Sequence, residues 1–215
     1  MSLNVELYWS FRSPYSYLAT PRVRALAREY DIAFDVRIVL PLAVRKPEFF
    51  RDVNPLWPPY VLRDTVRLAQ MLGLDYAWPD PDPIVQDFAT RTVAAEQPHI
   101  HRISRLGVEA SRQGRGLEFI DEASRLIWSG KVRGWNSGDH LALAAARAGL
   151  ELATMERNIA ARMPWHDAAL AANQHALEAA GHWGVPTFVF RGEPFFGQDR
   201  IDALLWRLRQ HGLAR

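Results

Sequence analysis

A serine followed by a proline, where a strand-like run passes into a helix-like one, is the feature of this chain best suited to chemistry. Residues 5–11 are predominantly apolar, and a helical pattern continues from Pro14 to about Tyr30. Ser13 is a favourable N-cap residue, and Pro14 suits the first helical position, where its missing N–H costs nothing. We therefore expect the Ser13 hydroxyl among unpaired N–H groups at the positive end of a helix, where a thiolate or an oxyanion is stabilised.

The chain contains no cysteine, which excludes a dithiol oxidoreductase and disulfide bonds. Any thiol chemistry at Ser13 therefore needs a sulfur atom supplied by a ligand. The sequence has no glycine-rich phosphate loop, no Gly-x-Ser-x-Gly elbow and no zinc motif, which disfavours nucleotide-driven enzymes, serine hydrolases and metallopeptidases. His99 and His101 diverge on a helix, and no carboxylate cluster accompanies them, so no metal site is expected.

Composition limits the class of protein further. The chain has 215 residues, of which 48% are hydrophobic, and this is enough for a substantial core. Its net charge is only +2, and its arginines alternate with acids at helical spacing, which is typical of solvated helix faces rather than of a nucleic-acid surface. No run approaches the roughly 20 apolar residues of a membrane span, and the first residues lack the order of a secretory signal. We therefore expect a cytoplasmic protein that binds neither membranes nor nucleic acid.

The order of elements predicts an α/β fold with a helical insertion. Residues 5–11 and 33–42 are predicted strands flanking a helix, an order that favours parallel, right-handed pairing. Residues 186–190 and 194–196 are predicted to form a hairpin around a tight turn, between a helix at 165–180 and a last helix from Asp199 to about residue 210. The intervening segment reads as helices at residues 61–72, 89–103, 107–114, 117–129, 139–148 and 152–163.

This arrangement of β-α-β, many helices, then α-β-β-α is that of a thioredoxin-like fold with an inserted all-helical domain. We assign residues 1–45 and 166–215 to the thioredoxin-like domain and residues 46–165 to the insertion. In such a fold the start of the first helix faces the start of the third strand.

Two short motifs near the C-terminal end are predicted to complete the site. Residues 184–187 read Gly-Val-Pro-Thr, and Pro186 marks a strand start because proline cannot donate to a sheet ladder. Local sequence alone favours a trans bond before Pro186, whereas the inferred fold favours a cis bond. A cis bond would turn the backbone of Val185 towards a peptide-like ligand. Farther on, Asp199 is a plausible N-cap of the last helix, and Gln198 with the free N–H groups there would hold a carboxylate and an amine.

Other candidates carry weaker signals. Tyr60, Asp64 and Arg67 share one face of the first inserted helix, either as a surface pair or as a structural group at the rim of the site. Asn54 precedes a proline, which fits either a ligand donor or a plain turn. A further set is aromatic and would form a wall for a flat substrate, unless its members are simply core residues: Trp9, Phe11 and Trp57.

Three motifs together resemble the 2-hydroxychromene-2-carboxylate isomerase family, which is grouped with kappa-class glutathione transferases and DsbA-like proteins. They are Phe-Arg-Ser-Pro-Tyr-Ser-Tyr-Leu-Ala at residues 11–19, Gly-Val-Pro-Thr at 184–187, and Phe-Gly-Gln-Asp-Arg at 196–200. The resemblance spans nearly the whole chain, because the motifs occur in order with a helical segment of matching size between them.

The resemblance implies that glutathione is the cofactor and supplies the missing sulfur. By this likeness, Ser13 hydrogen-bonds the sulfur, the Val185 backbone beside Pro186 pairs with the cysteinyl amide, and Gln198 with Asp199 holds the γ-glutamyl end. The reaction implied is a cis–trans isomerisation of an aromatic α-keto acid or a related conjugated carbonyl compound. Arg63, or another arginine, would meet the substrate carboxylate.

Two alternatives stay open at this stage. A kappa-like glutathione transferase would use the same site but release a stable conjugate. A non-catalytic thioredoxin-fold protein would instead hold an extended peptide along the Val185 edge. By analogy with such relatives, a homodimer is expected.

Overall fold

The computed structural model describes residues 2–87 and 89–214. A mixed four-stranded sheet in the order β2-β1-β5-β6 organises the molecule, and a two-stranded hairpin, β3-β4, lies apart from it. The strands are β1 (Leu3–Trp9), β2 (Ile32–Ile38), β3 (Gln86–Asp87), β4 (Thr92–Val93), β5 (Thr187–Phe190) and β6 (Glu193–Phe196). The predicted thioredoxin-like α/β fold is thereby confirmed.

Ten α-helices are present in the described part of the chain. They are α1 (Pro14–Glu29), α2 (Leu42–Arg45), α3 (Phe49–Asp52), α4 (Trp57–Leu72), α5 (Pro98–Arg112), α6 (Gly116–Trp128), α7 (His140–Arg147), α8 (Leu152–Ala161), α9 (Met163–Ala179) and α10 (Ile201–Gln210). Within this described part no helix is long and apolar enough to cross a membrane.

The β1-α1-β2 unit places the start of α1 at one end of the sheet. β1 and β2 run parallel, with Leu3 opposite Ile32 and Trp9 opposite Ile38. β5 pairs antiparallel with the other edge of β1 and forms a hairpin with β6. Since β1 is central, the loop that follows Trp9 lies between the segments that lead out of β2 and into β5.

The inserted segment departs from the sequence prediction around Gly107. Helices were expected at residues 89–103 and 107–114, but the structure has the β3-β4 hairpin and then one helix, α5, which passes through Gly107. A Cβ atom on Gly107 would lie 2.8 Å from both Ile38 Cγ1 and Phe11 Cε2. The glycine therefore lets α5 approach the sheet closely, and the interpretation of Gly107 as a helix boundary was wrong.

The start of the last helix also differs from the prediction. Residues Gln198–Arg200 form a single 3₁₀ turn, and α10 begins only at Ile201, with no side-chain cap on either element. Asp199 pairs with Arg200 at 3.0 Å instead of capping α10. The prediction that Asp199 is the N-cap was therefore wrong, because the 3₁₀ turn moves the helix start past it.

Trp9 and Phe11 belong to the hydrophobic core. Both side chains are fully buried, and their rings meet edge to face with centroids 4.7 Å apart. The indole Nε1 of Trp9 donates to Ser16 O at 3.1 Å, and that of Trp128 donates to Phe11 O at 2.9 Å. The prediction that Trp9 and Phe11 form a substrate wall was wrong, since α5 and α6 cover them.

The buried carboxylate of Glu109 joins three helices, α5, α8 and α9. The Glu109 side chain on α5 is completely buried and accepts hydrogen bonds from Arg112, Gln113 and Asn158 at 2.7–2.9 Å. Its Oε2 also lies 3.1 Å from Nε2 of His166. Burial alone would raise the pKa of Glu109, but these hydrogen bonds outweigh burial and lower the pKa to about 2.

Candidate functional site

Ser13 is held by two hydrogen bonds at the start of α1. Its backbone is extended, with φ −96° and ψ 114°, and its Oγ accepts from the Ser16 N–H at 3.2 Å as an N-cap. The same hydroxyl donates to the carbonyl oxygen of Val185, also at 3.2 Å. Ser13 therefore connects the start of α1 to the segment that leads into β5, as the fold prediction required.

The Val185–Pro186 peptide bond is cis, as the inferred fold favoured. The carbonyl of Pro186 accepts from the Gly197 N–H at 2.9 Å, which ties the start of β5 to the end of β6. The Thr187 hydroxyl donates to Gly184 O at 2.7 Å and fixes the turn before the proline. These contacts set the position of Val185 opposite Ser13.

A cavity of about 270 Å³ opens beside Ser13 and Val185. It is bounded by the β1-α1 loop, by α2, by the first turns of α4, by the loop that carries β3 and β4, and by the residues around β5 and β6. Its lining is mostly apolar, a common property of small-molecule sites: Ser10, Arg12, Ser13, Pro14, Tyr15, Pro41, Leu42, Ala43, Arg45, Trp57, Pro58, Val61, Leu62, Trp78, Ile84, Gln86, Asp87, Arg91, Val93, Trp183, Gly184, Val185 and Phe196.

Arg12 and Asp82 form a nearly buried ion pair on the cavity wall. The guanidinium meets the carboxylate through two bonds, at 2.5 and 2.8 Å, and the side chains are only 12% and 15% exposed. Asp82 also accepts from Trp78 Nε1, Gln86 Nε2 and the Ile84 N–H at 3.0–3.2 Å. The pair thus fixes the loop before β3, and the charge of Arg12 is already balanced.

Asp64 ties α4 to α1 at the rim of the cavity. The Tyr15 hydroxyl donates to Asp64 Oδ2 at 2.9 Å, while Tyr60 and Arg67 approach Oδ1 at 3.4 and 3.5 Å. Burial, together with the hydrogen bond to Asp64, raises the pKa of Tyr15. Of the two sequence interpretations of this group, the structural one at the rim fits these contacts.

Aromatic side chains form a band at the cavity mouth. The rings of His182 and Phe196 stack with centroids 3.9 Å apart, and the Trp183 ring lies 5.4 Å from His182 and 6.5 Å from Phe196. Phe49 bridges Trp183 and Trp57, with centroids 5.3 and 5.9 Å away. Trp57, Trp183 and Phe196 line the cavity, so three aromatic surfaces face its contents.

The structure brings together only part of the predicted site. Ser13, Val185 and Trp57 line the cavity, and Pro186 is held directly behind Val185. Besides the core residues Trp9 and Phe11, four predicted residues lie outside the lining: Asn54, Arg63, Gln198 and Asp199.

Each residue outside the lining has a local explanation. Asn54 is exposed, and its Oδ1 accepts from the Leu56 N–H in a turn, so the plain turn interpretation holds. Arg63 is exposed on α4 and does not line the cavity, and its assignment to the substrate carboxylate stays a prediction. Gln198 is buried in the 3₁₀ turn two residues after Phe196, and Asp199 is exposed beside it. The turn follows the cavity wall without forming it.

Sequence reasoning missed the charged residues of the lining, Arg12, Arg45, Asp87 and Arg91, and also Asp82, the partner of Arg12. Arg45 ends α2, and its Nε and Nη2 donate to Leu40 O and Trp183 O at 2.7 and 2.8 Å. No motif marks Arg12 or Arg45, because their partners lie far away along the chain. Across residues 2–87 and 89–214, no group of three or more His, Asp or Glu side chains has the arrangement of a metal site.

Comparisons with solved structures show related folds over nearly the whole chain. A 2-hydroxychromene-2-carboxylate isomerase superposes with a TM-score of 0.72 at 20% identity, covering 97% of this chain and 95% of that one. A probable DsbA oxidoreductase from Streptomyces coelicolor gives a TM-score of 0.65 at 18% identity, covering 97% and 89%. The cytosolic disulfide reductase DsbM from Pseudomonas aeruginosa, solved with GSH, gives 0.59 at 18% identity, covering 96% and 100%.

At these identities the structural likeness concerns the fold. A search of curated protein sequences finds no match. The family model of the DSBA-like thioredoxin domain matches residues 4–209, which is nearly the entire chain. On this evidence, the chain belongs to the DSBA-like thioredoxin domain family.

Proposed function

We propose that this protein is a glutathione-dependent cis–trans isomerase of the 2-hydroxychromene-2-carboxylate isomerase type, acting on an aromatic α-keto acid or a related conjugated carbonyl compound. The observation that carries the proposal is the Ser13 hydroxyl on the cavity wall, 3.2 Å from Val185 O, in a chain without cysteine. Because this chain has no cysteine, a thiol can lie at the start of its first helix only if a ligand brings it.

The residues at this position fit a glutathione thiolate. The Ser13 hydroxyl can turn its proton from Val185 O towards a sulfur in the cavity, while its oxygen continues to cap α1 through Ser16 N–H. A free thiol with a pKa near ~8.5 is mostly protonated at neutral pH, so a hydroxyl donor and a helix N-terminus raise the thiolate fraction. DsbM, which shares the fold, was solved with GSH, and this agrees with a glutathione site.

Glutathione would supply the thiolate whose transient addition to a conjugated double bond leaves that bond single and free to rotate, and whose expulsion restores it. Ser13 orients the sulfur. Trp57, Trp183 and Phe196 offer flat surfaces that exclude water and align a planar substrate. The exchange is balanced without an oxidant or a reductant, since the same sulfur enters and leaves.

Calorimetry of glutathione binding to the wild-type chain and to Ser13→Ala tests the proposal. We expect micromolar to low-millimolar binding by the wild type, and weaker binding together with at least about tenfold slower turnover of a conjugated aromatic keto acid by Ser13→Ala. Ser13→Thr keeps a hydroxyl and a cap and should recover part of both, while Ser137→Ala, at an exposed serine, controls for substitution itself. Absence of glutathione binding at millimolar concentration, or unchanged turnover by Ser13→Ala, would overturn the proposal.

Measuring glutathione during turnover identifies the reaction type. An isomerase leaves the glutathione concentration constant, whereas a transferase of the kappa type consumes one molecule for each product formed. Consumption would therefore replace the isomerase assignment while retaining the site.

A further inference from the structure

Arg45 is a cation on the cavity wall that forms no ion pair with a described Asp or Glu side chain. Its Nε and Nη2 are fixed by the carbonyls of Leu40 and Trp183, while Nη1 is buried and has no hydrogen-bond partner. No Asp or Glu among the described residues forms an ion pair with it. The guanidinium is thus held in place by neutral oxygens, and Glu178 acts on its positive charge only without forming an ion pair.

Arg12, which is also held by hydrogen bonds on this wall, differs from Arg45 because a protein carboxylate balances its charge. Arg12 has both a bidentate carboxylate, Asp82, and the face of the Trp78 ring 4.4 Å from its guanidinium carbon. Arg45 has the same restricted mobility without a carboxylate. A guanidinium presents its donors in a planar fork that matches a carboxylate, so the natural missing partner is an anionic oxygen pair.

Burial increases the free-energy cost of leaving the charged Arg45 guanidinium without an anionic partner. It lowers the pKa of the Arg45 guanidinium, an effect that the charge of Glu178 opposes. Arginine nevertheless stays protonated in proteins, so the cost falls on the charged state rather than being avoided by loss of a proton. An anion that enters the cavity would recover this cost.

A second unsatisfied polar atom belongs to the same lining. The Ser10 hydroxyl is buried without a hydrogen-bond partner. Because Val39 N–H donates to Trp9 O at 2.9 Å, Ser10 follows directly where β1 and the end of β2 are joined, next to the segment whose Leu40 carbonyl holds Arg45. Two residues of this mostly apolar lining therefore have a polar atom without a hydrogen-bond partner, the Ser10 hydroxyl and Nη1 of Arg45.

We propose that Arg45 binds the carboxylate of a flat aromatic acid whose ring lies against Trp183, Trp57 and Phe196. The backbone carbonyl of Trp183 holds the guanidinium while its indole, 41% exposed, lines the cavity, so one residue links the charged and aromatic parts of the site. This inference deepens the proposed function by assigning the acid group of the substrate, and it replaces Arg63 in that role.

Binding of 2-naphthoate and of its neutral analogue 2-naphthamide, measured by tryptophan fluorescence without glutathione, tests this assignment. We expect the wild type to prefer the acid by at least about tenfold, as for a hydrogen bond to a charged group. Arg45→Met keeps the apolar stem and should remove the preference, and Arg63→Met, the matched exposed control, should retain it. Equal affinity of the wild type for the two probes, or an unchanged preference in Arg45→Met, would overturn the proposal.

Two further arms make the result specific. If Arg45→Met weakens binding of glutathione but not of naphthoate, the carboxylate at Arg45 belongs to glutathione, and the assignment to an aromatic acid is wrong. Arg45→Gln keeps hydrogen-bond donors without charge and should also lose the preference, provided that its circular dichroism matches that of the wild type. Naphthoate binding without glutathione binding would leave this inference standing and remove only the isomerase proposal.

Discussion

Glu109 and Arg45 are both fixed by hydrogen bonds inside the molecule, but only Glu109 has its charge balanced by protein groups. Around Glu109, donors from α5, α8 and α9 meet both carboxylate oxygens. Around Arg45, two neutral carbonyls hold the side chain and one nitrogen stays without a partner. The Glu109 carboxylate has its partners within the protein and holds helices together. The Arg45 guanidinium, beside a cavity, has no anionic partner in an ion pair.

The comparison gives a physical criterion for separating structural from functional burial of charge. A buried charge that is completed by its own fold contributes to stability mainly through what is lost when one partner is removed. A buried charge that is left without a partner lowers stability, and it marks a position where an oppositely charged ligand would recover that cost. Predictions about stability can therefore test the difference between the two regions.

The largest effect is expected for removal of the Glu109 carboxylate. Glu109→Ala leaves Nε2 of the buried His166 without its partner and should lower the free energy of unfolding by about 3–5 kcal/mol. Urea denaturation measures it. The control is Glu156→Ala, which breaks an exposed pair with Arg102 and should cost less than about 1 kcal/mol. Equal costs for the two variants would contradict the contrast between closed and solvated pairs.

Acid should weaken the Glu109 region in a defined window. The pKa of Glu109 is lowered from 4.5 to about 2 in the folded protein. Its stabilising effect is therefore complete above about pH 4.5 and is lost as the pH falls from there to about 2, a difference of roughly 3 kcal/mol. We expect the stability gap between the wild type and Glu109→Gln, measured by urea denaturation, to narrow over this range. A gap independent of pH would refute the argument.

A loss of stability of intermediate size is expected when Asp82, the ion-pair partner of Arg12, is replaced. Asp82→Ala removes two bonds to Arg12 and three to the loop before β3, and should cost roughly 2 kcal/mol. Asp52→Ala, at an exposed pair with Arg51, is the control and should cost less. Thermal unfolding of the two variants shows whether the Asp82 carboxylate, like that of Glu109, stabilises the fold. A cost at Asp82 no larger than at Asp52 would show that the wall pair is not structural.

The smallest effect should come from Arg45 itself. Arg45→Met removes an uncompensated buried charge along with two hydrogen bonds, so we expect its stability to stay within about 1 kcal/mol of the wild type or to exceed it. Denaturation without ligand is the measurement. A loss as large as that of Glu109→Ala would place Arg45 among the structural charges and break the comparison.

Local chemistry made part of this molecule predictable from its sequence. The cis bond before Pro186 was favoured by the inferred fold and not by the local sequence. Ser13 as an N-cap with Pro14 behind it, by contrast, follows from residue types that act within a few positions of themselves. Element order gave the thioredoxin-like fold for the same reason. The assignment of residues 1–45 with 166–215, and of 46–165, to separate domains stays a prediction, as does the homodimer.

Contacts across long stretches of chain were not predictable. Arg45 reaches the carbonyl of Trp183 over 138 positions, and Arg12 reaches Asp82 over 70, so no local pattern distinguishes them from other arginines. Phe11 read as a wall residue because its burial depends on the close approach of α5 at Gly107. A glycine inside a helix gives the same sequence signal whether it ends the helix or lets it pack.

The hydrogen bond from Ser13 to Val185 also sets the time at which the site is completed during synthesis. Its two ends are 172 residues apart, and translation at about 5–20 residues per second separates them by roughly 10–35 s. During this interval the nascent chain has the first half of the site but no opposing segment. A truncated chain that ends before Trp183 would lack the carbonyl that pairs with Ser13 and one side of the cavity lining, so the cavity is complete only when synthesis has reached the last strands.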